Sequence, residues 1–289
     1  MRTRGTVRSQ TRRAKAPHQR AGSPRGEKVL GVLGGMGPLA TADFYTKLVR
    51  LTPARTDRDH PRVIIDSNPK IPDRTAGILG LGPDPTADLT ATARGLERAG
   101  AEVIAIPCNS AHAYLAAIRR SVKIPVLDIM EEVAAAASTL TPSPRAVGLL
   151  ATPGTVRARL YHRALAARGI AVVECTAGDE KEVSAVIHAV KTGDLGRAVR
   201  ERLRDVAAGL VRRGAAAIIL GCTELPLVME PHDIAVPLLD GTEILAAAAL
   251  RAALRPGLSQ EFSLTSRRTS RGVSSVKHHA GESLPARRR

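Results

Sequence analysis

Two stretches of this chain repeat one another at a distance of 114 residues. GAEVIAIPCNS begins at Gly100 and GAAAIILGCTE at Gly214, so Cys108 falls on Cys222. Two more phrases align in the same order. GVLGGMGPLATADFYTKL from Gly31 lies over GLLATPGTVRARLYHRAL from Gly148, and IPVLD ending at Asp128 lies over VPLLD ending at Asp240. Three ordered matches at nearly one spacing indicate a tandem duplication, which limits the fold to two copies of one pattern related by an approximate two-fold. Parallel-sheet sequences repeat Gly-Ala-β-branched phrases in any case. The registration of two of the chain's three cysteines argues for duplication instead.

The repeated phrases belong to eight short apolar runs: KVLGVLGG, RVIIDSNP, AEVIAIPC, IPVLDI, AVGLLATPG, IAVVECT, AAAIILGC and AVPLLDG. Between them lie Ala/Leu/Arg segments at helical spacing. Apolar runs without polar alternation predict strands covered on both faces, hence an α/β fold built on parallel sheets. Ligands of such sheets gather beyond the carboxyl ends of the strands. Cys108 and Cys222 both stand there, so two facing units would aim their thiols into one cleft from opposite sides.

The formal charge of +16 is concentrated in the ends of the chain. Residues 1–28 hold nine of the 43 basic residues and one of the 27 acidic ones; residues 256–289 hold seven and two. That leaves 27 basic against 24 acidic residues between them. The ends, 1–27 and 256–289, are rich in Arg, Ser, Gly and Pro and are expected to be disordered tails. They are almost without aromatic residues for base stacking, so solvated tails are expected in preference to nucleic-acid-binding arms. No window approaches the roughly 18 apolar residues of a membrane span, and the Arg-rich start lacks the apolar stretch of a secretory signal. A cytoplasmic protein is expected. Three widely spaced cysteines without a Cys-x-x-Cys pair fit free thiols, not a disulfide framework or zinc ribbon.

Two thiols on opposite faces of one carbon suit stereoinversion. One thiolate takes the α-proton while the other thiol delivers a proton to the far face, and the reverse reaction exchanges the roles. That scheme requires no metal and no organic cofactor. Gly35, Met36 and Gly37 of GGMGP match neither G-x-G-x-x-G nor a Walker loop; they read as a strand-to-helix turn offering backbone N–H groups to a carboxylate, or as a turn set by packing alone. Asn109, Ser110, Thr223 and Glu224 follow the thiols, with Thr152 and Thr155 in the equivalent loop of the second copy. Each reads as a substrate contact or as a helix N-cap; convergence on one cleft favours contact. Arg74 in IPDRT has the planar fork that recognises carboxylates, against the alternative of an ordinary surface arginine. His112, four residues after Cys108, reads as a zinc ligand with Cys108 and Cys222, or, in better accord with the lack of further ligands, as a histidine supporting the cleft. Cys175 lies outside any motif and reads as a core or edge residue.

GVLGGMGPLAT, NPKIPDRT, PCNSAH, LLATPGT and LGCTELPL together resemble the aspartate/glutamate racemase family, the cofactor-independent amino-acid racemases. The similarity runs from about Lys28 to Leu254. It implies a two-domain α/β protein with its active site between the domains, Cys108 and Cys222 as acid/base residues, and Arg74 as the arginine for a substrate carboxylate. It also implies a family lysine at Lys181 in DEKEV and a homodimer. Family chains cross between domains, which implies a first domain of 28–123 with 237–255 and a second of 124–236. Ser110, where the motif more often has Thr, and Asp66-Ser67 before Asn68 depart from the family pattern and bear on the substrate side chain. The function that follows is racemisation of aspartate or glutamate. The alternatives are a related racemase or isomerase of another small acid, of the hydantoin or maleate type, and a non-catalytic carboxylate-binding protein with nucleic-acid-binding arms.

Overall fold

The first strand shows how the architecture is generated. In β1 (Leu30–Gly34) every residue is buried, and alternate side chains enter different cores: Leu30 and Val32 on one face, Leu33 on the other. A strand covered on both faces cannot alternate apolar with polar, hence the continuous run LGVLG. The computed structural model describes residues 27–254, and the expected tails at 1–27 and 256–289 lie, apart from Glu27, outside them.

The elements follow in the order β1, α1 (Pro38–Leu51), β2 (Val63–Ser67), α2 (Arg74–Leu79), α3 (Thr86–Ala99), β3 (Val103–Ala105), α4 (Leu115–Ser121) and α5 (Ile129–Ser138). The second copy runs β4 (Ala146–Ala151), α6 (Pro153–Arg157), α7 (Leu160–Ala166), β5 (Ala171–Val173), α8 (Ala177–Lys191), α9 (Arg197–Arg212), β6 (Ile218–Gly221), β7 (Leu238–Asp240) and α10 (Gly241–Ala253). All pairings are parallel, in two sheets ordered β2-β1-β3 and β5-β4-β6-β7. The duplication is visible in the topology. β1 corresponds to β4, β2 to β5 and β3 to β6. The one remaining expected run, IPVLDI, forms a single bridge, Val126 to Ile104, at the place where β7 pairs with β6. Equivalent Gly31 and Gly148 mark where an outer helix closes on each sheet: an added Cβ would lie 3.5 Å from Leu96 Cβ of α3 and 3.0 Å from Leu210 Cβ of α9, respectively.

Strand pairing crosses the expected division of the chain at both edges. Val126 bridges to the first sheet although 124–236 was assigned to the second unit, and β7 belongs to the second sheet although 237–255 was assigned to the first. The crossing element is α10, which packs on α1 and β3 of the first copy as well as on α5. Phe44 and Leu48 of α1, Val133 of α5, Tyr161 of α7 and Leu245 and Ala249 of α10 lie in one core with Leu30, Val32, Val147 and Leu149 from both sheets. The outer faces have separate cores, under α3 and α4 on one side and under α8 and α9 on the other. Lys47 on α1 adds a partly buried ion pair, 2.7 Å to Asp240 at the end of β7. With a shared central core, the two sheets are held in a fixed relation, and their carboxyl ends face one another.

Candidate active site

Beyond β3 the chain passes through Ile106 and Pro107 to Cys108, and a 3-10 turn at Ser110–Tyr114 leads into α4. His112 anchors this loop. Its Nε2 accepts from Ile129 N–H at the start of α5 (3.2 Å), so the ring proton sits on Nδ1 and is donated to the Cys108 carbonyl (2.9 Å). Burial holds its pKa below the ordinary histidine value, and the neutral ring suits both bonds. With both nitrogens engaged by backbone, His112 supports the cleft and is not free to ligate zinc. The buried Cys108 Sγ lies 3.6 Å from Ser110 Oγ.

Cys222 occupies the matching position after β6, in a different electrostatic setting. Its Sγ donates to Glu224 Oε2 at 3.0 Å. Burial, first, and the Glu224 charge, second, push this thiol well above its ordinary range. Glu224 Oε1 accepts from Gly37 N–H (3.1 Å), and Thr223 Oγ1 donates to the Pro107 carbonyl (3.2 Å). Both bonds join the second copy to the first, so the two cysteine loops meet directly.

The GGMGP turn is shaped by Gly35, whose φ is +88° and whose added Cβ would stand 2.4 Å from Asn68 N. Its N–H is bound to Thr41 Oγ1 (2.8 Å), and that of Gly37 goes to Glu224, so both glycine amides have internal partners. Thr152 is the N-cap of α6, accepting from Thr155 N–H (3.3 Å), and both threonines also face the cleft. The N-cap role falls to Thr152 alone, with Thr155 inside the first turn of α6. Arg74 opens α2 behind the N-cap Asp73 and is 7% exposed. Its Nη1 donates to the Ile71 (3.1 Å) and Pro72 (2.9 Å) carbonyls, and Nη2 lies 3.5 Å from the Met36 carbonyl. Its Nε is buried without a partner.

Both thiols open on one small cavity. Of the residues expected at the site from sequence, all but Gly35, Gly37 and Lys181 line it. Lys181 is exposed on α8. The lysine at the cavity is Lys191, the last residue of that helix. Lys191 is exposed at the surface as well; partial desolvation would lower its pKa, yet Glu224, Cys222 and Cys108 together raise it above the ordinary value. Asp73, Thr75 and Gly221 complete the lining without having been expected. Cys175 lies apart, its thiol directed at the Leu149 carbonyl and pushed up to about 12 by burial.

The model of the Asp/Glu/hydantoin racemase family matches residues 33–249. The chain belongs to this family. It is 28% identical over 228 residues to a broad specificity amino-acid racemase of Bacillus subtilis, covering 77% of this chain and 96% of that protein. It also resembles the aspartate racemase of Picrophilus torridus, with a TM-score of 0.72 and 31% identity over 82% of this chain and 98% of that one. A glutamate racemase of Shewanella oneidensis is 30% identical over 136 residues, 47% of this chain and 48% of that protein. In the first two relatives the match extends over nearly the whole protein, and the residues matched by the family model include both cysteine loops.

Proposed function

We propose that this protein racemises aspartate or glutamate without a cofactor, with Cys108 and Cys222 as its two acid/base groups. One observation carries the reading: buried thiols from equivalent strand ends of a duplicated fold line the same small cavity. The resemblance to an aspartate racemase supports the substrate class. So does Arg74, a buried guanidinium whose recorded partners are backbone carbonyls and whose Nε is unmatched. A substrate carboxylate supplies the missing countercharge, which favours an amino acid over a hydantoin ring.

Cys222 starts as the acid, because burial and Glu224 hold its proton. Cys108 then acts as the base on the opposite face. The α-proton passes to Cys108 Sγ, Arg74 and Lys191 meet the negative charge of the substrate's carboxylates, and the Cys222 proton reaches the far face of the carbon. Lys191 supplies the cation beside the thiolate left at Cys222. In the reverse direction the same groups exchange roles. The free thiols accord with a reducing cytoplasmic setting. Among the described residues, no helix is long and apolar enough to cross a membrane.

Incubating the protein with L-aspartate or L-glutamate in heavy water tests the reading. The D-enantiomer should accumulate with deuterium at the α-carbon. Binding of the amino acid without any α-exchange would sink the proposal. A second expectation concerns pH. The limb set by loss of the Cys222 proton lies above the ordinary thiol range, so activity should persist there and fall only at higher pH. Glu224→Gln removes the negative charge while keeping an acceptor for Gly37, and should move that alkaline limb down by about one pH unit or more. An unmoved limb in the pH–rate profile of Glu224→Gln would refute the assignment of Cys222 as the acid.

A further inference from the structure

Tyr161 is the largest fully buried side chain of the shared core, and its hydroxyl reaches the site. It comes from α7 in the second copy and donates to Asn109 Oδ1, in the Cys108 loop of the first, at 2.6 Å. Burial pushes the phenol up, so it remains a neutral donor. Asn109 is itself 3% exposed and lines the cavity, and its Nδ2 is buried with no partner. A buried amide donor without an acceptor costs on the order of 1–3 kcal/mol, so an unmatched one at a cavity wall indicates a ligand atom that will meet it. With the amide reversed, Tyr161 would face an amide nitrogen that cannot accept its proton, and Asn109 would present a carbonyl to an anionic substrate.

We propose that Tyr161 is a positioning residue: its hydroxyl fixes the Asn109 carboxamide with Nδ2 toward the cavity, as a donor to a carboxylate oxygen of the substrate. The assignment rests on the racemase reading for its substrate and on the geometry for its direction. It gives the second copy control over a substrate contact carried by the first. Tyr161 touches no substrate, and its effect is exerted through Asn109 alone.

Tyr161→Phe keeps the ring in the core and removes the donor. For L-aspartate its KM should rise by about tenfold, the effect of one lost hydrogen bond to a charged group, while kcat falls much less. Loss of folded enzyme alone would lower the apparent kcat and leave KM unchanged. Asn109→Asp preserves an acceptor for Tyr161 but puts negative charge at the cavity wall, so its KM should rise by about a hundredfold or more. In the Asn109→Ala background, Tyr161→Phe should change KM by less than about twofold, since the two act as one unit. Succinate binding, followed by calorimetry on the same variants, gives a readout independent of turnover. If wild-type protein binds succinate but racemises neither amino acid, the function fails, and weaker succinate binding by Tyr161→Phe still supports the positioning role. Unchanged KM and succinate affinity in Tyr161→Phe, effects that multiply in the double variant, or no succinate binding by the wild type overturns it.

Discussion

Cys108→Ala and Cys222→Ala should each lower racemisation by about a thousandfold or more, in both directions, because each thiol is the base in one direction and the acid in the other. The two losses should differ in kind. In Cys222→Ala the remaining Cys108 still removes and returns a proton on its own face. One enantiomer should therefore exchange its α-hydrogen with heavy water without inverting. In Cys108→Ala the other enantiomer should do so. Chiral chromatography with proton NMR on both antipodes reads this mirror pattern. A mechanism with one base would lose everything with one cysteine and little with the other, and such an outcome would remove the two-base scheme. Folding should survive, since each thiol stands at a cavity wall beyond a strand end and trimming one sulfur costs about 1 kcal/mol.

The mirror pattern follows from a feature that was legible in the sequence. The alignment of GAEVIAIPCNS with GAAAIILGCTE placed Cys108 and Cys222 at equivalent strand ends, and the β2-β1-β3 and β5-β4-β6 orders bear that out. The position of α10 was not legible in its own residues, although the family resemblance put 237–255 with the first unit. Its apolar face, from Leu245 to Leu254, is equally suited to either copy, and only tertiary packing sets it across α1 and α5. Lys181 lies away from the cavity for a geometric reason. Ten helical residues advance about 15 Å, so Lys181 and Lys191 lie near opposite ends of α8. A signal was available in the buried stripe of Val183, Val186, Ile187 and Val190, which leads to the end of the helix where Lys191 lies. Nothing in the sequence marks Tyr161, because a tyrosine at helical spacing reads as core, and Tyr161 is also core.

Arg74 provides the second large effect. A buried cation is costly unless its charge is met, and among the described residues no carboxylate forms an ion pair with Arg74. Its carbonyl partners hold the guanidinium in place and leave it short of negative charge. Arg74→Lys retains a cation but loses the planar fork. It should lower kcat/KM for L-aspartate by about a hundredfold or more, chiefly through KM. In the wild type, ligand at 100 times its Kd should stabilise the fold by about 2.7 kcal/mol, visible as a rise in Tm. In Arg74→Lys most of that rise should vanish, although the ligand-free Tm changes little. Comparing aspartate with alanine then locates the contact. Loss confined to aspartate and glutamate places Arg74 on the side-chain carboxylate, because alanine has none to lose. Equal loss for all amino acids places it on the α-carboxylate, where it would stabilise the carbanion directly. Full activity on aspartate in Arg74→Lys would mean that the unmatched guanidinium faces no substrate charge, and the case for an amino acid over a hydantoin ring would fall with it.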